Sequence, residues 1–255
     1  NKVTSLGFGT NSYITGAYAT YVGQEVGQFY GWVYEGIART QSDLDNHATQ
    51  QGANVGDCLY KDVSGADGKP DGKIDGYDQV VLGSGLPKVN FGLSARLEYK
   101  NFDLTISTYG SLNYHVSDDI YNSLNSCYGW GNKDVSILNA NQYSSDGKTY
   151  ISSVPRTYVT NNASLAWNDL FSSRKIQNAA YWKIANIELG YNLPNKWFKG
   201  IISGARAYIS AQNVYTFTGY HGYNVDYAGG TFTPGNNFCS FPTPHTYMCG
   251  VQFTF

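Results

Sequence analysis

The sequence predicts an all-β protein: strands of a large antiparallel transmembrane β-barrel with long extracellular loops. Three observations carry that prediction. The composition suits strands and turns, with 23 Tyr and 29 Gly but one Met in 255 residues, 16% aromatic and 14% charged; aromatics favour strands and Gly favours turns. Several segments alternate apolar and polar residues over about ten positions, the length at which a tilted strand crosses a bilayer. Connections between those segments alternate between short and long, as in outer-membrane barrels. No run of about eighteen apolar residues occurs, so no transmembrane helix is expected, which leaves a barrel untouched.

The clearest segment is VNFGLSARLEYKNFDLTISTYGSLN. Val89, Phe91, Leu93, Ala95, Leu97 and Tyr99 share one face, and Asn90, Gly92, Ser94, Arg96 and Glu98 the other. After a Lys100-Asn101 turn, Phe102, Leu104 and Ile106 oppose Asp103, Thr105, Ser107 and Tyr109, so a hairpin of two long strands is predicted. In YWKIANIELGYNLP, Ala185, Ile187, Leu189, Tyr191 and Leu193 oppose Ile184, Asn186, Glu188, Gly190 and Asn192. In GARAYISAQNVYTF, Ala205, Ala207, Ile209 and Ala211 oppose Arg206, Tyr208, Ser210 and Gln212. The ending HTYMCGVQFTF sets Tyr247, Cys249, Val251, Phe253 and Phe255 against Met248, Gly250, Gln252 and Thr254. GQFYGWVYEGI is a sixth, less regular strand, and residues 1–25 alternate poorly.

The apolar faces are expected to meet lipid and the polar faces a wet lumen, where Arg96, Glu98, Asp103, Glu188 and Arg206 are tolerated. Tyr99, Tyr191, Phe253 and Phe255 fall where an interfacial aromatic girdle would lie. Long connections are expected near 39–87, 114–178 and 218–244. Six or seven strands do not close a barrel, and open edges are not viable in lipid. The chain, which starts at Asn1, is therefore expected to be one domain fragment, residues 1–255, of a longer barrel.

The net charge of −2 and the absence of a Lys/Arg cluster exclude a nucleic-acid surface. Cys58, Cys127, Cys239 and Cys249 lack CxxC spacing, which argues against zinc or redox motifs. Two of the first three suit a bridge in an oxidising compartment, while Cys249 reads as a small apolar residue. His47, His115, His221 and His245 have no metal-triad spacing, and no H-E-x-x-H, G-x-S-x-G or P-loop occurs. Asp118-Asp119 reads as a solvated pair. No enzyme is expected.

The stretch DVSGADGKPDGKIDGYDQVVLG places Asp67, Asp71, Asp75 and Asp78 around Gly72 and Ile74, close to an EF-hand-like calcium loop. Lys69 stands where that loop wants a ligand, and Asp78 where it wants a bidentate Glu. Asp62 and Ser64 are placed to supply oxygens across an insertion. A structural Ca2+ on these carboxylates is the expectation; the plain reading is a solvated acidic turn.

Taken in order, VGQEVGQFYGWVYEGI, DGKIDGYDQVVLGSGLPKVNFGLSARLEYKNFDLTI, NAAYWKIANIELGYNLP, YISAQNVYTFTGYHGYNVD and PHTYMCGVQFTF resemble the C-terminal part of SusC-type TonB-dependent transporters of Bacteroidetes outer membranes. The resemblance implies a 22-stranded barrel of TonB-dependent receptor type, with a plug and earlier strands outside this chain. It implies a SusD-like lipoprotein lid, a TonB complex acting through the plug, and import of an oligosaccharide or peptide. It also matches Phe255 to the family's C-terminal barrel-assembly signal. The candidate contacts for substrate or lid are aromatic: Tyr114, Tyr121, Trp130 and Trp167 in the long middle connection, and Tyr220 and Tyr223 in the last. The competing reading is a soluble, calcium-stiffened β-domain that binds carbohydrate.

Overall fold

The structure, a computed structural model, describes residues 1–7, 9–128, 131–158, 167–198, 203–226 and 229–255. In chain order its elements are β1 (Ser12–Thr15), β2 (Tyr18–Tyr21), β3 (Gln28–Gly31), β4 (Tyr34–Ile37), α1 (Gln41–Asp45), β5 (Cys58–Tyr60), β6 (Val80–Ser84), β7 (Val89–Tyr99), β8 (Phe102–Leu112), β9 (His115–Asp118), α2 (Asp119–Leu124), β10 (Ile176–Asn178), β11 (Tyr181–Leu193), β12 (Gly204–Thr218), β13 (Asn236–Asn237) and β14 (Thr246–Thr254). They form two compact units. Unit 1 is Asn1–Leu86, His115–Gln177 and Ala228–Cys239; unit 2 is Pro87–Tyr114, Asn178–Tyr227 and Ser240–Phe255.

Unit 1 gathers most of what the sequence reads as long connections. Its strands are short and form small sheets, β1-β2-β3-β6, β10-β9-β13 and β4-β5. The segment expected as a sixth barrel strand divides into β3 and β4. The first pairs with β2 and β6 and the second with β5, because Trp32 between them turns its amide to Phe171 O (3.2 Å). Buried Cys58, Tyr60 and Ile74 form a core packed by Trp32, Tyr34, Ala48, Trp167 and Leu170. Side chains hold the irregular backbone around it. Asp57, fully buried, takes a two-pronged bond from Arg156 (Nε 3.0 Å, Nη2 2.8 Å) and a third from Asn168 Nδ2 (2.8 Å). Asn168 Oδ1 in turn accepts the Cys58 amide at 2.7 Å. The short helix α1 starts with a Thr40–Asp43 capping box; those backbone N–H groups hold the Asp43 carboxyl below the usual range.

Unit 2 is built around one antiparallel sheet in the order β14-β12-β11-β8-β7. The hairpin β7–β8 closes at Lys100-Asn101, where Lys100 adopts φ +56°, and β11 joins β12 across residues 194–203. Register extends the face assignment across all five strands. One row runs Ala95, Ile106, Ile187, Ala211, Tyr247; the next runs Leu97, Leu104, Leu189, Ile209, Cys249. The alternation of β11 changes phase at Ala185, an extra residue between Ile184 and Asn186 that has no counterpart between Thr108 and Ser107 of β8. Ile184 therefore joins the apolar face instead of the polar one. Trp182 follows it there, and Lys183 goes to the polar side.

Candidate functional site: two faces of the long-stranded sheet

The apolar face of unit 2 is exposed, with Leu93 67%, Leu97 63%, Ile209 59% and Val251 58% accessible. An apolar surface continuous over five strands is far beyond the scattered hydrophobics of a soluble surface. Aromatics bound it at both ends. Phe102 and Tyr191 pack at 4.8 Å beside Tyr99 near the short turns. At the other end Trp182 stacks on Phe217 (5.2 Å), which meets Tyr215 edge-on (4.7 Å). The sequence alone does not show this second group, because the Ala185 bulge hides the side on which Trp182 lies. From Phe91 to Tyr99 the band is about 27 Å along the strand, or roughly 20 Å along the normal at a barrel tilt near 40°, close to the apolar band of an outer-membrane barrel.

The polar face carries charges joined across strands. Arg206 (β12) bonds Asp103 (β8) through Nε at 3.0 Å and through Nη2, and Nη2 also reaches Glu188 Oε1 (β11) at 2.8 Å. Gly190 lies beneath that guanidinium, where any Cβ would collide with it. Gly250 does the same for the Tyr208 ring, which a Cβ would meet at 2.7 Å. Toward the opposite strand ends, Lys183 stands 3.7 Å from Asp226, whose carboxylate also accepts the Tyr109 and Tyr181 hydroxyls.

The described aromatic candidates are divided between the units, Tyr114, Tyr220 and Tyr223 in unit 2 and Tyr121 and Trp167 in unit 1. Tyr114 is buried and donates to Val225 O (2.8 Å), and Tyr220 is buried; both pack within unit 2. Tyr223 is exposed, at the rim of a cavity of about 350 Å³ in unit 2. In unit 1, Trp167 packs on Tyr60 (6.2 Å) and donates Nε1 to Gln51 O (2.9 Å). Tyr121, on α2, borders a small cleft with Arg174 and Lys175, whose ammonium burial pushes toward the neutral form. Trp130 lies outside the described residues. Asp118 is not a solvated carboxylate: it is buried and caps α2 through the Tyr121 amide (2.9 Å). Burial raises the pKa of its neighbour Asp119. All four cysteines are free thiols, with Cys58 and Cys127 buried.

In the acidic loop the carboxylates bind backbone. Asp67 accepts the Lys69 amide, Asp71 that of Lys73 and Asp75 that of Tyr77. Asp78 is fully buried and takes three amides, Val63 (2.9 Å), Ser64 (3.1 Å) and Asp75 (2.8 Å). Asp62, not Asp67, accepts the amide of Gly72, the turn glycine (2.7 Å). Among the described residues no group of three or more His, Cys, Asp or Glu side chains is arranged to hold a metal ion.

No family model matches the chain. Curated relatives do. TonB-dependent receptor P3 of Formosa agariphila is 27% identical over 242 residues, 91% of this chain and 22% of the relative. TonB-dependent receptor SusC of Bacteroides thetaiotaomicron is 25% identical over 211 residues, 77% of this chain and 19% of the relative. The chain thus spans about a fifth of the curated relatives it matches. Solved structures of the RagAB peptide transporter (TM-score 0.74, 24% identity) and of the RagAB peptide importer in its open-open state (0.71, 23%) cover the whole chain and a quarter of theirs, and show the same fold. These relatives are receptors and importers, not enzymes. The chain is thus similar over most of its length to TonB-dependent receptors, SusC among them, and shares the fold of the RagAB structures.

Proposed function

We propose that the chain forms part of the barrel wall of an outer-membrane importer. That importer takes up an oligosaccharide or a peptide with energy from a TonB complex, under a SusD-like lipoprotein lid. The observation that carries this reading is the continuous apolar face of the β7–β14 sheet, with aromatics at both ends and ion pairs on its reverse. Facing lipid, those apolar rows need no further cover, and Arg206, Asp103 and Glu188 then stand in a wet lumen. The same face argues against the soluble carbohydrate-binding domain, which would leave it in water. Detergent extraction of native membranes, followed by size exclusion and mass spectrometry, tests the reading. The expected result is elution of the receptor that contains this chain together with a surface lipoprotein, and loss of uptake on tonB deletion. A detergent-free monomer would overturn it.

A structural calcium ion in the 62–78 loop is part of the same proposal, with a shifted ligand set. Asp62 Oδ1 is buried and has no hydrogen-bond partner, while its other oxygen holds Gly72, as the first ligand and the turn glycine do in an EF-hand-like loop. A Cβ on Gly65 would stand 2.9 Å from Asp71 Cγ, so residues 66–70 form the insertion and Asp67 leaves the set. Asp62, Ser64, Asp71 and Asp75 would hold the ion, drawing Asp71 and Asp75 off the amides they now accept. Terbium luminescence that calcium displaces, and that Asp62→Asn abolishes, is the expected result; no luminescence refutes the site.

A further inference from the structure

Lys183 is 3% exposed, and its ammonium is held in an ion pair without a direct hydrogen bond to the partner carboxylate. Its nearest anion, Asp226, is 3.7 Å away, too far for one, and the Tyr109 ring centroid is at 5.8 Å. Asp226 is itself engaged by the Tyr109 and Tyr181 hydroxyls. An ammonium carries three donors, and burying them unsatisfied is costly. They are not sealed off, however. Lys183 lines the cavity of about 350 Å³ together with Asn213, Thr216, Thr218, Tyr223 and His245. Among the described residues no Asp or Glu lines that cavity, and Lys183 brings a fixed charge to it with Asp226 as its partner. The volume is within the range of ligand sites, and hydroxyls and amides beside a cation suit an oxygen-rich anion.

We propose that this cavity binds a carboxylate group of the transported ligand, with Lys183 as its counter-ion; the proposal rests on the import reading above. The carboxylate would take the ammonium donors that Asp226 leaves unused. Thr216 and Thr218 would supply hydroxyl donors to its oxygens, and the exposed Tyr223 ring would cover the rest of the ligand. Two sources present this chemistry, a uronic-acid glycan and an acidic peptide.

The test uses the full-length receptor, purified in detergent, and calorimetry with trigalacturonate, triglutamate and neutral maltotriose. One acidic probe is expected to bind, more weakly as salt rises. Lys183→Met is expected to cost about tenfold or more in affinity, the scale of a hydrogen bond to a charged group. Thr216→Val, which keeps the charge, should cost a smaller factor and serves if the lysine variant fails to assemble. Trigalacturonate binding alone marks the glycan source, and triglutamate binding alone the peptide. Equal binding of maltotriose, salt-independent binding, indifference to both substitutions, or no binding of either acid overturns the proposal. TonB-dependent uptake is scored separately, so a receptor that still imports but ignores Lys183→Met keeps the import reading and loses this one.

Discussion

The two units use the same amino acids in opposite ways. Unit 1 turns Tyr60, Trp32 and Trp167 inward around Cys58 and Ile74 and locks a buried Asp57 against Arg156. Unit 2 turns Leu93, Leu97, Ile209 and Phe217 outward and keeps its ion pairs on the reverse. Composition is shared, so the difference lies in what covers the apolar surface. In unit 1 it is other side chains; in unit 2 the proposed cover is hydrocarbon, which is why regular register matters there and side-chain-to-backbone ties matter in unit 1. Long strands satisfy their own amides along a ladder, whereas the short strands of unit 1 need Asn168, Asp78 and Asp57 to do so.

The contrast can be broken at named residues. The largest expected effect is in unit 1: Asp57→Ala removes the fully buried anion that half-buried Arg156 and Asn168 Nδ2 bind through three hydrogen bonds, a loss of about 3–5 kcal/mol. Hydrogen exchange of the intact receptor should show loosening around Cys58, Asn168 and Arg156 with the β7–β14 ladder unchanged; equal loosening of both units would refute their independence. Next comes Leu189→Arg in the middle of the apolar face, expected to cost about 2–4 kcal/mol, while Gln212→Arg on the polar face should cost far less. Refolding yield into vesicles compares the two, and equal losses would sink the assignment of faces. Asp78→Ala strands three amides and is expected to cost about 1–3 kcal/mol, seen as faster proteolysis between residues 62 and 78.

The smallest effect is read by pH. Burial pushes the Cys58 thiol up to about 12 and that of Cys127 up to about 11. An unfolded chain releases those protons first, near the ordinary thiol value. The stability tied to them is therefore whole below about 8.5 and declines as pH rises through about 11 and about 12. Maleimide at neutral pH should label exposed Cys239 and spare Cys58 and Cys127 until the fold opens. Rapid labelling of all three in the native receptor would contradict the buried core.

What was legible in the sequence follows from what is periodic. The β7–β8 hairpin was predicted with its turn because Val89 to Leu112 alternates without interruption. At the start of β11 the sequence places Ile184 on the polar face, because one extra residue, Ala185, leaves no compositional mark. Unit 1 was not legible, since its order comes from pairs distant in sequence, such as Tyr60 with Trp167 and Asp57 with Arg156. In the acidic loop the sequence offers both Asp67 and, across an insertion, Asp62; the structure shows that the amide of Gly72 goes to Asp62. Tyr114 and Trp167 were singled out as aromatics, but no sequence pattern distinguishes a ring at a surface from one in a core.

The bulge at Ala185 also works as a switch in the count of residues. Deleting that one alanine would leave Trp182 and Lys183 on their present faces, because the residues on either side of it already alternate; drawing Ala185 into the ladder instead would turn the Lys183 ammonium to the apolar face and the Trp182 indole to the polar one. The charge at position 183 thus keeps its place by a phase slip in the chain and not by its own chemistry. Ironing out the bulge with every residue kept would exchange the cation on the polar face for an aromatic ring without any substitution at all.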